Sequence, residues 1–172
     1  MKINIAPETC FQFKIILKSN FWSIILYNEN ASGGGKKMKI KKILIVEGDW
    51  GRKSAIKKKL NEEHEGKYEI ISADDEKEAI KIINKHSFFD LVIIDLMDAG
   101  EGINVIKLAK KGNPLTEIIV IAVYAIKLST VQMAVELGVK TFLSKIEDHF
   151  LDLLLKNVKV LEHKQKDDRE DI

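Results

Sequence analysis

At 172 residues the chain fits one domain with tails better than two full-sized domains. Its 28 basic and 26 acidic residues leave a formal charge of +2, too little imbalance to serve as an electrostatic footprint for nucleic acid. A single cysteine, Cys10, excludes an internal disulfide and points to a reducing, cytoplasmic compartment.

Residues 1–37 differ in character from the rest of the chain. The apolar stretch from Phe11 to Tyr27 is broken by Lys14, Lys18 and Asn20. A spanning helix needs about 20 mostly apolar residues, and lysine is costly at bilayer depth. A secretory signal needs an unbroken apolar stretch ahead of a small-residue cleavage site. Neither pattern is clean, so no membrane association is expected. An amphipathic anchor or a Gly-rich linker remains as a protein-level reading. The run Ser32-Gly33-Gly34-Gly35-Lys36-Lys37 before Met38 back-translates to purine-rich codons, as a bacterial ribosome-binding site would when read in frame. We therefore expect residues 1–37 to be a non-domain extension with the true start at Met38. The folded domain is expected over 38–162 and a mixed-charge tail over 163–172.

After Met38, five short apolar runs alternate with helical patterns. The runs are Ile43–Val46, Tyr68–Ile71, Leu91–Ile94, Ile118–Val123 and Val139–Leu143. They are continuously apolar, as suits strands of a parallel sheet buried on both faces. In the spacers, Ala79, Ile80 and Ile83 share a helix face, and Val131, Ala134, Val135 and Leu137 do so more loosely. The last helix is the clearest, with Phe150, Leu151, Leu154, Leu155, Val158 and Leu161 recurring every three or four residues. Asp74 is the expected cap of the second helix, and Gly138 the stop of the fourth. Lys57, Lys58 and Lys59 read as a solvated helix face. The alternation predicts a doubly wound α/β sheet with right-handed crossovers, whose site lies at the carboxyl ends of the strands.

Those ends carry Glu47, Gly48 and Asp49 after the first strand and Asp95 at the end of the third. Ala122, Val123 and Tyr124 close the fourth, and Ser144 and Lys145 come after the fifth. Carboxylates beside a lysine suit a hard, oxygen-seeking cation such as Mg²⁺. They equally suit an aspartate that becomes phosphorylated, with cationic groups neutralising the phosphoryl oxygens. Plainer roles exist for each residue. Glu47 and Asp49 could answer the dipole of the first helix, Lys145 could be a surface lysine, and Tyr124 and Phe142 could be half-buried aromatics. Asp95 comes straight after Leu-Val-Ile-Ile and is poorly explained as a cap. His64, His86, His149 and His163 lack metal-ligand spacing. No Walker-type loop or Gly-x-Ser-x-Gly elbow is present, so an enzyme is not expected.

Taken in order and spacing, four segments resemble the receiver domain of two-component response regulators. They are Lys-Ile-Leu-Ile-Val-Glu at 42–47, Asp-Leu-Val-Ile-Ile-Asp-Leu-Met at 90–97, Ile-Val-Ile-Ala-Val-Tyr-Ala at 119–125 and Ala-Val-Glu-Leu-Gly-Val-Lys-Thr-Phe-Leu-Ser-Lys at 134–145. The resemblance implies a flavodoxin-like (βα)5 three-layer sandwich with strand order 2-1-3-4-5. It also implies a phosphorelay role, with Asp95 accepting a phosphoryl group from a histidine kinase or phosphotransfer protein. Lys145 would pair with that phosphate, and Mg²⁺ would be held by Asp95, Glu47 and Asp49. Ala122, Tyr124 and Phe142 occupy the switch positions, and a downstream protein would dock on the face of the fourth helix, fifth strand and fifth helix. The departures are specific. The family's paired acids read Glu47-Gly48, its strand-four hydroxyl is Ala122, its Met-Pro pair is Asp98-Ala99, and its Lys-Pro is Lys145-Ile146. The expectation is an atypical, stand-alone receiver, or else a degenerate one acting as a phosphorylation-independent interaction module.

Overall fold

The computed structural model describes residues 12–18, 21–27, 40–63, 66–86, 88–96, 102–122, 126–146 and 149–163, the first two segments as backbone alone. Two strands, β1 (Gln12–Lys18) and β2 (Phe21–Tyr27), pair antiparallel. Then strands and helices alternate: β3 (Lys42–Val46), α1 (Trp50–Glu63), β4 (Glu69–Ala73), α2 (Glu76–Lys85), β5 (Leu91–Asp95), α3 (Ile103–Gly112), β6 (Glu117–Ala122), α4 (Leu128–Glu136), β7 (Thr141–Ser144) and α5 (Phe150–His163). The five strands of the alternating part are parallel, in the order β4-β3-β5-β6-β7. That is the expected 2-1-3-4-5 arrangement. The antiparallel β2 meets β7 at the register Ile25↔Thr141 and extends the sheet to seven strands.

Strand side chains alternate between faces, so a continuous apolar run feeds two cores. Leu44, Val46, Val92, Ile94, Val120 and Phe142 face one way and pack with Ile83, Ile106 and Ala134 of α2, α3 and α4. Ile43, Ile45, Leu91, Ile93, Ile119, Ile121 and Leu143 face the other way, onto Ile56, Leu60, Leu154 and Val158 of α1 and α5. The apolar face read from the last helix matches this, with Phe150, Leu154, Leu155 and Val158 buried.

Local details depart from the sequence reading. The strand expected over Tyr68–Ile71, β4, begins at Glu69 and runs to Ala73, because it keeps the register of β3 through Val46↔Ala73. The cap of α2 is Asp75, whose Oδ1 accepts the Glu78 N–H at 2.8 Å. Asp74 instead pairs with Lys53, and its own N–H is accepted by Glu78 Oε2. Gly138 does end α4. With φ +85° it lets its N–H reach the Val135 carbonyl and the Val139 N–H reach the Ala134 carbonyl, closing the helix in the left-handed conformation glycine favours. The lysine run is partnered rather than merely solvated: Lys57 Nζ donates to Ser72 Oγ at 2.7 Å, Lys58 pairs with Glu62, and Lys59 Nζ lies 2.8 Å from Asp152 Oδ1.

Candidate functional site

The carboxyl ends of β3, β5 and β7 open into one cavity of about 370 Å³. Glu47, Asp49, Asp95 and Lys145 all line it. β5 is the central parallel strand, hydrogen-bonded to β3 and β6, and Asp95 is its last residue. Lys145 comes directly after β7, where its backbone N–H donates to the Ala122 carbonyl at 2.7 Å and anchors it beside β6. From there its Nζ reaches Asp95 Oδ2 at 2.5 Å and Glu47 Oε2 at 3.1 Å. The Lys145 side chain is 1% exposed and that of Asp95 20%. A fully buried ammonium is tolerated only with partners, and these two carboxylates are its partners. Asp95 keeps a path to solvent, as a group that reacts with an outside molecule needs.

Glu47, with a side chain 2% exposed, is the hub of the negative side. Its Oε1 accepts the Asp49 N–H at 3.0 Å, while Oε2 takes both Lys145 and the Nε of Arg52, the latter at 3.2 Å. Arg52 escaped the sequence reading. The signal available was a basic residue five positions after Glu47, in the first turn of the helix next in the chain. Asp49 turns toward this same residue. Its Oδ1 accepts the Arg52 N–H at 2.7 Å, and its Oδ2 lies 3.8 Å from Arg52 Nη2. The backbone N–H of Arg52 holds the Asp49 carboxyl below its ordinary value, helped by the charges of Arg52 and Lys145.

Around the rim stand Asp74, Asp75, Glu76 and Gly102. Glu76 Oε2 accepts the Gly102 N–H, and Oε1 takes Asn104 Nδ2 at 2.8 Å, which ties α2 to the start of α3. Of the proposed switch positions, Ala122 ends β6 and presents only a methyl group. Phe142 is 9% exposed and packs in the α2–α4 core. Tyr124 lies outside the described residues, as do Val123, Asp98 and Ala99. No described peptide bond is cis, that before Ile146 included.

The three carboxylates proposed as cation ligands therefore share a cavity, but each faces a basic group rather than the others. Among the described residues, no three acidic or histidine side chains form a group able to hold a metal ion. Mg²⁺ demands near-octahedral oxygen at about 2.0–2.1 Å. Gly48 contributes no side chain, and both oxygens of Glu47 are engaged. Among the described residues, and in this arrangement, the three carboxylates do not form a ready octahedral donor set for that cation.

A family model described as the response regulator receiver domain matches residues 43–157. Among solved structures, a CheY-like response regulator receiver domain protein from Methanospirillum hungatei is 27% identical, with a TM-score of 0.60 over 74% of this chain and 98% of that one. A Francisella response regulator receiver domain is also 27% identical, with a TM-score of 0.57 over 73% and 99%. A response regulator from Thermotoga maritima, at 24% identity and a TM-score of 0.58 over 72% and 98%, shares the fold. No curated protein sequence matches the chain. Receiver domains as a family bind Mg²⁺ at the phosphorylation site and interact with histidine kinases or phosphotransfer proteins.

Proposed function

The chain belongs to the response regulator receiver domain family, and on that premise we propose that Asp95 accepts a phosphoryl group from a phosphohistidine of a histidine kinase or phosphotransfer protein. One observation carries this reading: the 2.5 Å contact between the buried Lys145 ammonium and the partly open carboxylate of Asp95, at the tip of the central strand. In the transfer an Asp95 carboxylate oxygen attacks phosphorus, the P–N bond to imidazole breaks, and the imidazole nitrogen takes up a proton from solvent. The product is an acyl phosphate. Lys145 neutralises charge on the transferring oxygens as a buried cation fixed in place, where such a charge counts most. The protein acts in this reading as a cytoplasmic signalling relay rather than a metabolic enzyme. It passes the signal by protein contact, with α4, β7 and α5 as the docking face.

A second reading, a phosphorylation-independent interaction module, is favoured by Ala122 and Phe142. The first lacks the hydroxyl that would bond a phosphoryl oxygen, and the second is already packed in the core. A switch works only through contacts that differ between its states. Incubation with a small-molecule phosphodonor, followed by intact mass, separates the two. The phosphoryl adduct is expected on the wild type and absent from Asp95→Ala; a wild type that takes none leaves the interaction module.

A further inference from the structure

We infer that Arg52 is the resident cation of this pocket, and that its guanidinium recognises a tetrahedral phosphoryl oxyanion there without a divalent metal. The inference rests in part on the phosphoryl-acceptor reading of Asp95. Its own support is the placement of Arg52. The Nε shares Glu47 Oε2 with Lys145, at 3.2 and 3.1 Å, so one buried carboxylate oxygen carries two cations. The guanidinium is always charged and holds five N–H donors in a plane that suits phosphate. Nε is committed to Glu47, and among the described residues the nearest acid to the terminal nitrogens is Asp49 at a loose 3.8 Å. With its side chain 35% exposed on the cavity wall, Arg52 has donors left for an incoming oxyanion.

Around Asp95 itself, Glu47 and Asp49 face Arg52 and Lys145, the two basic residues among the described ones that line the cavity; Asp75, Glu76 and the Lys53-paired Asp74 stand on its rim. A divalent cation that used Glu47 would have to displace Arg52 or Lys145 from its Oε2. Nor is Gly48 simply a missing acid. A Cβ there would lie 3.2 Å from the Asp74 carbonyl oxygen, so the loop is built close around the absence of a side chain.

The full chain is tested in two arms. In the first, Mg²⁺ alone is titrated and followed by tryptophan fluorescence, Trp50 being exposed beside Asp49, and by calorimetry. Wild type is expected to show no saturable binding at millimolar Mg²⁺, whereas Arg52→Met, which keeps the stem and drops the charge, should bind it saturably. Saturable binding by wild type, or none by Arg52→Met with an unchanged circular dichroism spectrum, overturns the inference. In the second arm, a small phosphodonor is supplied with a chelator or with Mg²⁺. Wild type should form adduct at rates within about twofold in both, and Arg52→Met should lose about tenfold under chelation, the scale of one hydrogen bond to a charged group. Arg52→Lys, which keeps the charge but not the fork of donors, should fall between wild type and Arg52→Met under chelation. A wild-type adduct that requires Mg²⁺ overturns the role of Arg52. An adduct absent under both conditions instead overturns Asp95 as acceptor, and the metal arm alone then decides on Arg52.

Discussion

Ala122 is the last residue of β6, and its carbonyl holds the backbone of the cavity-lining Lys145. A hydroxyl there would add a hydrogen bond to a charged phosphoryl oxygen, worth about 1.5–3 kcal/mol. Ala122→Thr is therefore expected to tighten the coupling between phosphorylation and partner binding. The check is partner affinity measured with and without the adduct. Equal affinity ratios in the variant and wild type would defeat this account of what position 122 lacks. Lys145 and Arg52 divide the positive work between them: the first is buried and bridges two carboxylates, the second is half-buried and lines the cavity wall.

At the scale of the element, the loops that shape the cavity are held by backbone conformation and caps. Gly102 precedes α3 with φ +96°, and a Cβ there would sit 2.7 Å from Leu96 Cδ2 and 2.9 Å from Ile94 Cδ1. Gly102→Ala combines left-handed strain with a clash against β5, and should destabilise by more than about 1 kcal/mol. Urea unfolding tests it, and an unchanged midpoint would show that the turn relaxes freely. The α2 cap offers a comparison. Removing the Asp75 side chain exposes the Glu78 N–H, so Asp75→Ala should cost about 1 kcal/mol, while leaving the Lys53–Asp74 pair in place.

Across the whole molecule, the two cores are separate, and polar contacts join elements distant in sequence. Asp90 Oδ2 accepts the N–H groups of Lys41 and Lys42 at 2.9 and 2.8 Å, tying the approach to β5 to the start of β3. Thr116 Oγ1, in a fully buried residue, donates to the Phe89 carbonyl. Lys59 of α1 and Asp152 of α5 link the two helices on one face of the sheet. The Lys59 side chain, by hydrogen bond and charge, holds the Asp152 carboxyl below its ordinary value of 3.8. A carboxyl depressed in the folded state stabilises above its unfolded value, and that contribution is lost as pH falls through the folded one. Lys59→Met should therefore lower stability by a constant amount at neutral pH and flatten the decline on the acid side of 3.8, where that contribution is normally lost. Melting temperatures across that range would reveal a parallel pair of curves if the contact is idle.

Much of this protein was written in short-range pattern. Continuous Ile and Val runs alternating with stretches of 3.6-residue periodicity pointed to a parallel sheet covered by helices on both sides, an arrangement that hides both faces of such strands. The order of those strands came from the resemblance, and the strand-end rule then directed attention to Asp95, Glu47, Asp49 and Lys145. Which carboxylate meets which cation was beyond that kind of reading. Glu47 and Lys145 are 98 positions apart, and only the folded sheet brings them to 3.1 Å. Arg52 was missed for the same reason: a basic residue in the first turn of a helix carries no periodic signature, and its meaning comes from the buried oxygen it shares with Lys145. The choice of Asp75 over Asp74 as cap likewise turned on Lys53, a partner 21 residues away. Local sequence selects elements through backbone propensity and hydrophobic period, whereas charge pairing is decided by through-space distance, and that exists only once the chain has folded.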